Sequence, residues 1–170
     1  MTAIIARRIF SRLVLMPLVL SFALGLVGTA GPAGAGVPIY TDFFRGAIQG
    51  YDPVAYFTEG RPMKGAEQYT YKWLGATWHF ANAKHRDLFT ANPIKYAPQY
   101  GGFCSRGTYS GGLSAADPTV WRIIDGKLYL FASQGALWRF GNDSVSQEGQ
   151  IDKANANWPK LKAQYKLQPR

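Results

Sequence analysis

Large aromatic residues alternate with smaller or polar ones between residues 68 and 81, and this pattern predicts a β-hairpin. We expect strands over residues 68–73 and 77–81, joined by Leu74-Gly75-Ala76. Every second position on one face of these strands is aromatic, which is the period of a half-buried strand: Tyr69, Tyr71, Trp73, Trp78 and Phe80. His79 falls on the opposite face of its strand.

A second hairpin is predicted where residues 120–124 and 127–131 flank Asp125-Gly126. Asp-Gly between two apolar runs is one of the strongest signals for a two-residue hairpin turn. The returning strand is apolar on both faces, because its leucines alternate with Tyr129 and Phe131. A strand of this kind is typical of a central position, so we expect this hairpin to lie within the core.

Helical patterns follow each hairpin. Asn82 is a good N-cap for a helix over residues 83–91, and Pro93 prevents its continuation. Residues 134–140 and 144–165 are also predicted to be helical, with the second helix broken near Trp158-Pro159. The order of these elements predicts an α+β fold, a small single domain of two β-hairpins packed with a few helices.

Residues 92–107, NPIKYAPQYGGFCSRG, fit neither a regular helix nor a strand. Two prolines remove backbone donors, and the Gly101-Gly102 pair permits backbone angles that other residues adopt at a cost. The stretch is rich in aromatics and contains Cys104, the chain's one cysteine. We therefore predict a packed, irregular loop that holds this thiol against the core.

Composition adds three constraints. With 170 residues, 47% hydrophobic and 15% aromatic, the chain has enough apolar mass for one core dominated by aromatic rings. The net charge is +9, but the basic residues are scattered, so no nucleic-acid surface is expected. A single cysteine excludes both an intramolecular disulfide and a zinc site made of cysteines alone.

The N-terminal residues 1–35 are predicted to be a signal peptide. A basic region is followed by an apolar run over residues 13–27, and Ala33-Gly34-Ala35 fits a cleavage site. This run is shorter than the roughly 20 residues of a membrane span, so no stable transmembrane segment is expected after cleavage. Arg7-Arg8-Ile9-Phe10 resembles a twin-arginine export signal, and we expect a periplasmic or otherwise exported protein.

Four segments resemble the YHS domain proteins, in particular the exported, stand-alone kind. They are YDPVAYF (51–57), WHFANAKHRDLFTANPIKYAPQYGGFC (78–104), DPTVWRIIDGKLYLF (117–131) and NANWPKL (155–161). The resemblance implies a small α+β domain and an association with metal handling, because such domains accompany copper transporters and metal sensors. It divides the chain into a lead-in over 36–50, a YHS-like core over 51–140 and a C-terminal helical segment over 141–170.

The metal-associated members usually carry cysteines in a DPVCGM-like start and at an FCSxxC-like hairpin end. This chain has Ala55, Ala81 and His85 at those three positions. The candidate metal ligands that remain are Cys104, His85 and His79, which would suit copper or zinc. The resemblance thus favours a non-enzymatic binding protein that handles a metal ion.

Two alternatives stay open. Cys104 is a candidate thiol nucleophile or redox centre if His85 or His79 serves as its base. Four tyrosines are candidates for an aromatic pocket that binds a small organic ligand: Tyr51, Tyr56, Tyr96 and Tyr100. Asp52 and Asp117 each precede a proline, so we expect their carboxylates to accept hydrogen bonds from nearby backbone amides.

Overall fold

Two β-hairpins and a set of mostly short helices make up the part of the chain that the computed structural model describes, residues 38–42 and 44–166. The strands are β1 Thr41–Asp42, β2 Gly46–Ala47, β3 Ala66–Trp73, β4 Ala76–Phe80, β5 Asp117–Ile124 and β6 Lys127–Phe131. The helices are α1 Ala55–Thr58, α2 Ala83–Ala91, α3 Pro93–Tyr96, α4 Ser105–Tyr109, α5 Gln134–Asn142 and α6 Gln147–Lys166. The predicted signal peptide, residues 1–35, lies outside the described residues.

The strands pair into three two-stranded antiparallel sheets, of which two are the predicted hairpins. In β3–β4, Trp73 lies opposite Ala76, and in β5–β6, Ile124 lies opposite Lys127. The third sheet joins the two-residue strands β1 and β2 near the start of the described chain. The α+β fold predicted from the order of elements is confirmed.

Both hairpin turns place two successive residues in the left-handed region. Asp125 and Gly126 have φ of 49° and 70°, and Leu74 and Gly75 have φ of 50° and 77°. Positive φ at both central residues is the signature of a type I′ turn, which suits the twist of paired strands. Aspartate and glycine are common at these positions, whereas leucine is not, so the turn at Leu74 is conformationally strained.

The helix predicted over residues 83–91 is confirmed, and the side chain of Asn82 accepts a hydrogen bond of 2.9 Å from the backbone N–H of His85. The predicted break at Pro159 is wrong, because α6 continues through this proline. Burial of Ala154 and Leu161 on either side of Pro159 stabilises the continuous helix against the lost backbone hydrogen bond. Among the helices of residues 38–42 and 44–166, none combines the length and the apolar composition of a membrane span.

Aromatic rings dominate the core, as the composition predicts. Phe89 of α2 contacts four rings of the first hairpin, with ring centroids 5.1–6.4 Å apart: Tyr71, Trp73, Trp78 and Phe80. Strand β6 is buried on both faces, as predicted. Its leucines pack with the first hairpin, whereas Tyr129 and Phe131 pack against Phe140. The second hairpin therefore contributes to both parts of the core.

The irregular stretch 92–107 contains α3, a 3₁₀ turn over Gln99–Gly102 and the start of α4. Tyr100, Gly101 and Gly102 all have positive φ, between 54° and 84°. The carbonyl of Gly101 accepts a 2.8 Å hydrogen bond from the N–H of Tyr40. A Cβ on Gly101 would clash with the carbonyl oxygen of Pro38, so this position requires glycine both for its φ and for the close approach of two backbones.

We expect Gly101→Ala to destabilise the protein by about 3 kcal/mol, as the sum of left-handed strain and a backbone clash. Gly126→Ala is the matched control, because Gly126 has a similar φ of 70° but open space where a Cβ would lie. The control should lose about 1 kcal/mol from strain alone. Urea unfolding of both variants measures the difference, and equal losses would contradict the close approach to Pro38.

Candidate functional site

Asp52 is fully buried, and its carboxylate accepts hydrogen bonds from three parts of the chain. Oδ1 accepts from the N–H of Val54 at 2.8 Å, which is the predicted Asp-Pro turn, and from the N–H of Ala55 at 3.4 Å. Oδ2 accepts from the N–H of Ala81 at 2.8 Å and lies 2.6 Å from Nδ1 of His85. A buried carboxylate needs such partners, and here all of them are N–H groups.

His85, a candidate metal ligand, is 3% exposed and lies in this buried cluster. The 2.6 Å separation of Nδ1 from Oδ2 of Asp52 is that of a short hydrogen bond between the imidazole and the carboxyl group. Nε2 lies 3.2 Å from Oγ1 of Thr58 and 3.5 Å from Oε1 of Glu59. Both ring nitrogens of His85 therefore have protein partners. The contact between His85 and Asp52 joins α2 to the segment that contains α1.

Cys104 lies against the core, as predicted, with 2% of its surface exposed. Its Sγ accepts a hydrogen bond of 3.2 Å from the N–H of Ala132, just after β6. Its carbonyl accepts from the N–H and the hydroxyl of Thr108, at 3.0 and 3.2 Å. The thiol is thus enclosed between α4 and the second hairpin.

His79 lies half-buried on β4, opposite Thr70 of β3. Among the residues that the structure describes, no hydrogen bond or ion pair joins Cys104, His85 and His79 to one another. The same residues contain no group of three or more His, Cys, Asp and Glu side chains placed to hold a metal ion. A copper or zinc site at these residues stays a prediction.

The four candidate pocket tyrosines lie in different surroundings. Tyr56 is buried and donates to the carbonyl of Pro118 at 2.8 Å, and this burial strongly raises the pKa of its hydroxyl. Tyr96 is buried edge-on against Phe57, and Tyr51 lies beneath the ammonium of Lys64. Tyr100 alone among these four lines the apolar cavity described next.

An apolar cavity of about 480 Å³ opens between the turn of the first hairpin, α3 and α6, and we call it the aromatic cleft. Its lining residues are Ile39, Trp73, Leu74, Ile94, Ala97, Pro98, Gln99, Tyr100, Gly101 and Trp158. None of these side chains is charged. Residues from four separate parts of the sequence thus converge on one concave surface, which is the usual form of a small-molecule site.

The aromatic walls of this cleft are held by packing behind them. The ring centroid of Trp73 lies 5.8 Å from that of Trp78 and 5.6 Å from that of Phe89, and both of these residues belong to the core. The ring centroids of Tyr100 and Trp158 are 5.9 Å apart. The hydroxyl of Tyr100 donates a hydrogen bond of 3.1 Å to Asn155 Oδ1. Rings held in this way lose little conformational entropy when a ligand binds, so the cleft is preorganised.

Two features of the cleft, backbone strain and exposed apolar side chains, have an energetic cost in the folded protein. Leu74 occupies a left-handed turn position at a cost of roughly 1–2 kcal/mol, and it is 36% exposed. Ile94 is 81% exposed at the opposite rim, and Tyr100 also has a positive φ of 54°. Backbone strain and exposed apolar side chains that occur together are typical of binding sites.

Searches of protein-family models, curated proteins and solved structures return no match for this chain. The resemblance to YHS domain proteins therefore stays a prediction. What the chain binds has to be inferred from the shape and chemistry of its own surface.

We expect Asp52→Asn to destabilise the protein by about 3–5 kcal/mol. The amide nitrogen of asparagine is a hydrogen-bond donor, and it would face the N–H donors that now surround the carboxylate and leave His85 without its charged partner. Asp117→Asn is the matched control, since Asp117 also precedes proline but is exposed and caps Thr119. An asparagine oxygen can still accept there, so the control should change stability by about 0.5 kcal/mol or less. Similar losses in urea unfolding would contradict the structural role of Asp52.

The burial of Cys104 predicts slow thiol modification in the native protein. We expect dithiobis-nitrobenzoate to react about 100-fold more slowly in buffer than in denaturing urea, because the thiol becomes accessible only on local opening. Since the chain has one cysteine, the absorbance change reports Cys104 alone. Equal rates would show an accessible thiol and would restore the thiol-enzyme alternative.

Proposed function

We propose that this chain is an exported, non-enzymatic binding protein of the YHS-resembling kind, whose aromatic cleft holds a small, flat, uncharged organic molecule. The observation that carries the proposal is the aromatic cleft itself, where Trp73 and Trp158 supply partly exposed rings and the buried Tyr100 ring packs against Trp158. Export is inferred from the signal-like features of residues 1–35.

The lining of the cleft determines the class of ligand. Its volume of about 480 Å³ falls within the range of small-molecule sites. Aromatic side chains favour flat molecules, because planar rings stack on them or pack against their edges. A lining without charged side chains favours an uncharged ligand, since an ion would lose its hydration without gaining a partner.

The polar groups at the cleft are few. The Gln99 side chain lines the cleft and can orient a ligand through a hydrogen bond. The hydroxyl of Tyr100 is engaged with Asn155, and burial raises its pKa far above the ordinary value, so it stays protonated. Affinity would therefore come chiefly from apolar contact, with polar groups selecting among ligands of similar shape.

Metal handling and thiol chemistry have weaker support. The ring nitrogens of His85 and the sulfur of Cys104 already have hydrogen-bonding partners. A thiol that acts as a nucleophile needs a base or a cation that stabilises the thiolate, and the group on Cys104 Sγ is a backbone N–H. The aromatic cleft offers both space and a continuous apolar lining in one place.

We expect the neutral fluorophore N-phenyl-1-naphthylamine to bind saturably and to quench tryptophan fluorescence, because Trp73 and Trp158 line the cleft. Leu74→Asn should raise stability by about 1 kcal/mol, since asparagine tolerates the left-handed turn better than leucine does. The same change should raise the Kd about tenfold through lost apolar contact. Fluorescence titration and urea unfolding measure the two effects on one variant.

Val145→Asn is the control for Leu74→Asn, because Val145 is exposed to a similar degree but lies outside the cleft. It should leave the Kd of the fluorophore unchanged. A gain in stability together with weaker binding cannot come from unfolding, so the pair of results isolates the cleft. Absence of saturable binding, or an unchanged Kd in Leu74→Asn, would overturn the proposed function.

A further inference from the structure

A second cavity, of about 420 Å³, lies beside the strand pair β1–β2 and the open end of the first hairpin. We call it the cationic cleft. Its lining residues are Phe44, Arg45, Gln49, Gly50, Lys64, Gly65, Glu67 and His79. Its character is opposite to that of the aromatic cleft, because two cations and a histidine converge on it.

The hydrogen-bond donors of this cleft are incompletely used. Over residues 38–42 and 44–166, no carboxylate forms an ion pair with Arg45 or Lys64. The Arg45 side chain and the His79 ring also have no hydrogen-bond partner within these residues. The ammonium of Lys64 donates to the carbonyl of Gln49 at 3.1 Å and lies 3.8 Å from the centre of the Tyr51 ring.

The two cations are close enough to affect each other. The pKa of Lys64 is lowered, first by partial burial and next by the positive charge of Arg45, whereas Asp42 acts in the opposite direction. The Asp42 carboxylate is occupied by the backbone N–H groups of Phe44 and Arg45, at 2.9 and 3.1 Å. An anion between Arg45 and Lys64 would relieve this repulsion.

The positions of the donors are fixed by the backbone around them. Ile48, Gln49 and Gly50 have φ of 43°, 55° and 73°, a run of left-handed residues that includes a β-branched side chain. This strained turn presents the Gln49 carbonyl that holds Lys64. Gly65 packs closely against the backbone and Cβ of His79, since a Cβ at residue 65 would lie 2.5 Å from the Cβ of His79, so the position of this part of β4 is fixed.

We propose that the cationic cleft binds the carboxylate of a small organic acid. The planar guanidinium of Arg45 matches a carboxylate in a two-bond arrangement, and Lys64 with the His79 ring supplies further donors. Glu67 in the same wall makes a dianion such as phosphate less favourable than a single carboxylate. The remaining volume, beside Phe44, accommodates an apolar body attached to the acid.

The two clefts occupy opposite ends of the first hairpin. Glu67 lies near the start of β3, and Trp73 lies at its end, beside the turn. On β4, His79 of the cationic cleft is three residues from Ala76, the partner of Trp73, which is about 10 Å of strand. No residue lines both clefts, so the carboxylate site is separate from the proposed aromatic-ligand site, and either can fail without the other.

The test uses benzoate as the probe, measured by isothermal titration calorimetry at low ionic strength on the chain without the predicted signal peptide, residues 36–170. We expect binding that weakens with added salt, as it does for a partly exposed charge contact. Arg45→Gln and Lys64→Gln should each raise the Kd of benzoate by about tenfold, since each removes one charge-assisted hydrogen bond to the carboxylate.

Two further variants make the result specific. Glu67→Gln should lower the Kd of benzoate, because it removes the negative charge from the wall, a change in the direction opposite to the other variants. Arg61→Gln removes an exposed arginine that does not line the cleft and should leave the Kd unchanged. The proposal is overturned if benzoate does not bind at millimolar concentration, if Arg45→Gln binds it as well as the unchanged protein, or if phosphate binds more tightly.

Discussion

The buried carboxylate of Asp52 is the constraint on which much of this domain depends. An ionised group with no exposure is tolerated only when every lone pair finds a donor, and here the donors come from three segments. Val54 belongs to the turn before α1, Ala81 follows β4, and His85 lies on α2. Satisfying one side chain therefore fixes the end of the first hairpin and the helix after it against the start of the domain.

Once α2 is fixed in this way, its Phe89 side chain is directed into the first hairpin, where it contacts four aromatic rings. Trp73 is one of these rings, and its other edge forms a wall of the aromatic cleft. The chain thus uses its core to hold a surface feature rigidly. A framework of this kind can carry the unfavourable backbone angles at Leu74 and Tyr100, because neighbouring contacts determine the conformation more strongly than local preference does.

Local features of the sequence were enough to predict the hairpins, the helix α2 and the burial of Cys104. Each depends on a short signal, such as the period-two aromatics, the Asn82 cap or the Asp125-Gly126 turn. The continuity of α6 through Pro159 was not predictable, since it depends on packing by residues distant in sequence. Of the residues that line the aromatic cleft, the sequence analysis named Tyr100 as a pocket residue and missed the others. Ile39, Trp73, Ile94 and Trp158 are distant in sequence and meet only in the fold. One local signal was available: Leu74 before Gly75, where a hairpin turn favours asparagine or aspartate.

The first hairpin gives the domain two chemically distinct surfaces at its two ends. Its turn presents Trp73 and Leu74 to a cleft whose lining carries no charge, and its open end presents Glu67 and His79 to one with two cations. No residue lines both clefts, so each surface has its own set of contacts. β3 and β4 are joined by backbone hydrogen bonds and backed by the Phe89 cluster, so one rigid element supports both surfaces. A protein built in this way suits two different small ligands, one apolar and one acidic, held on one supporting hairpin.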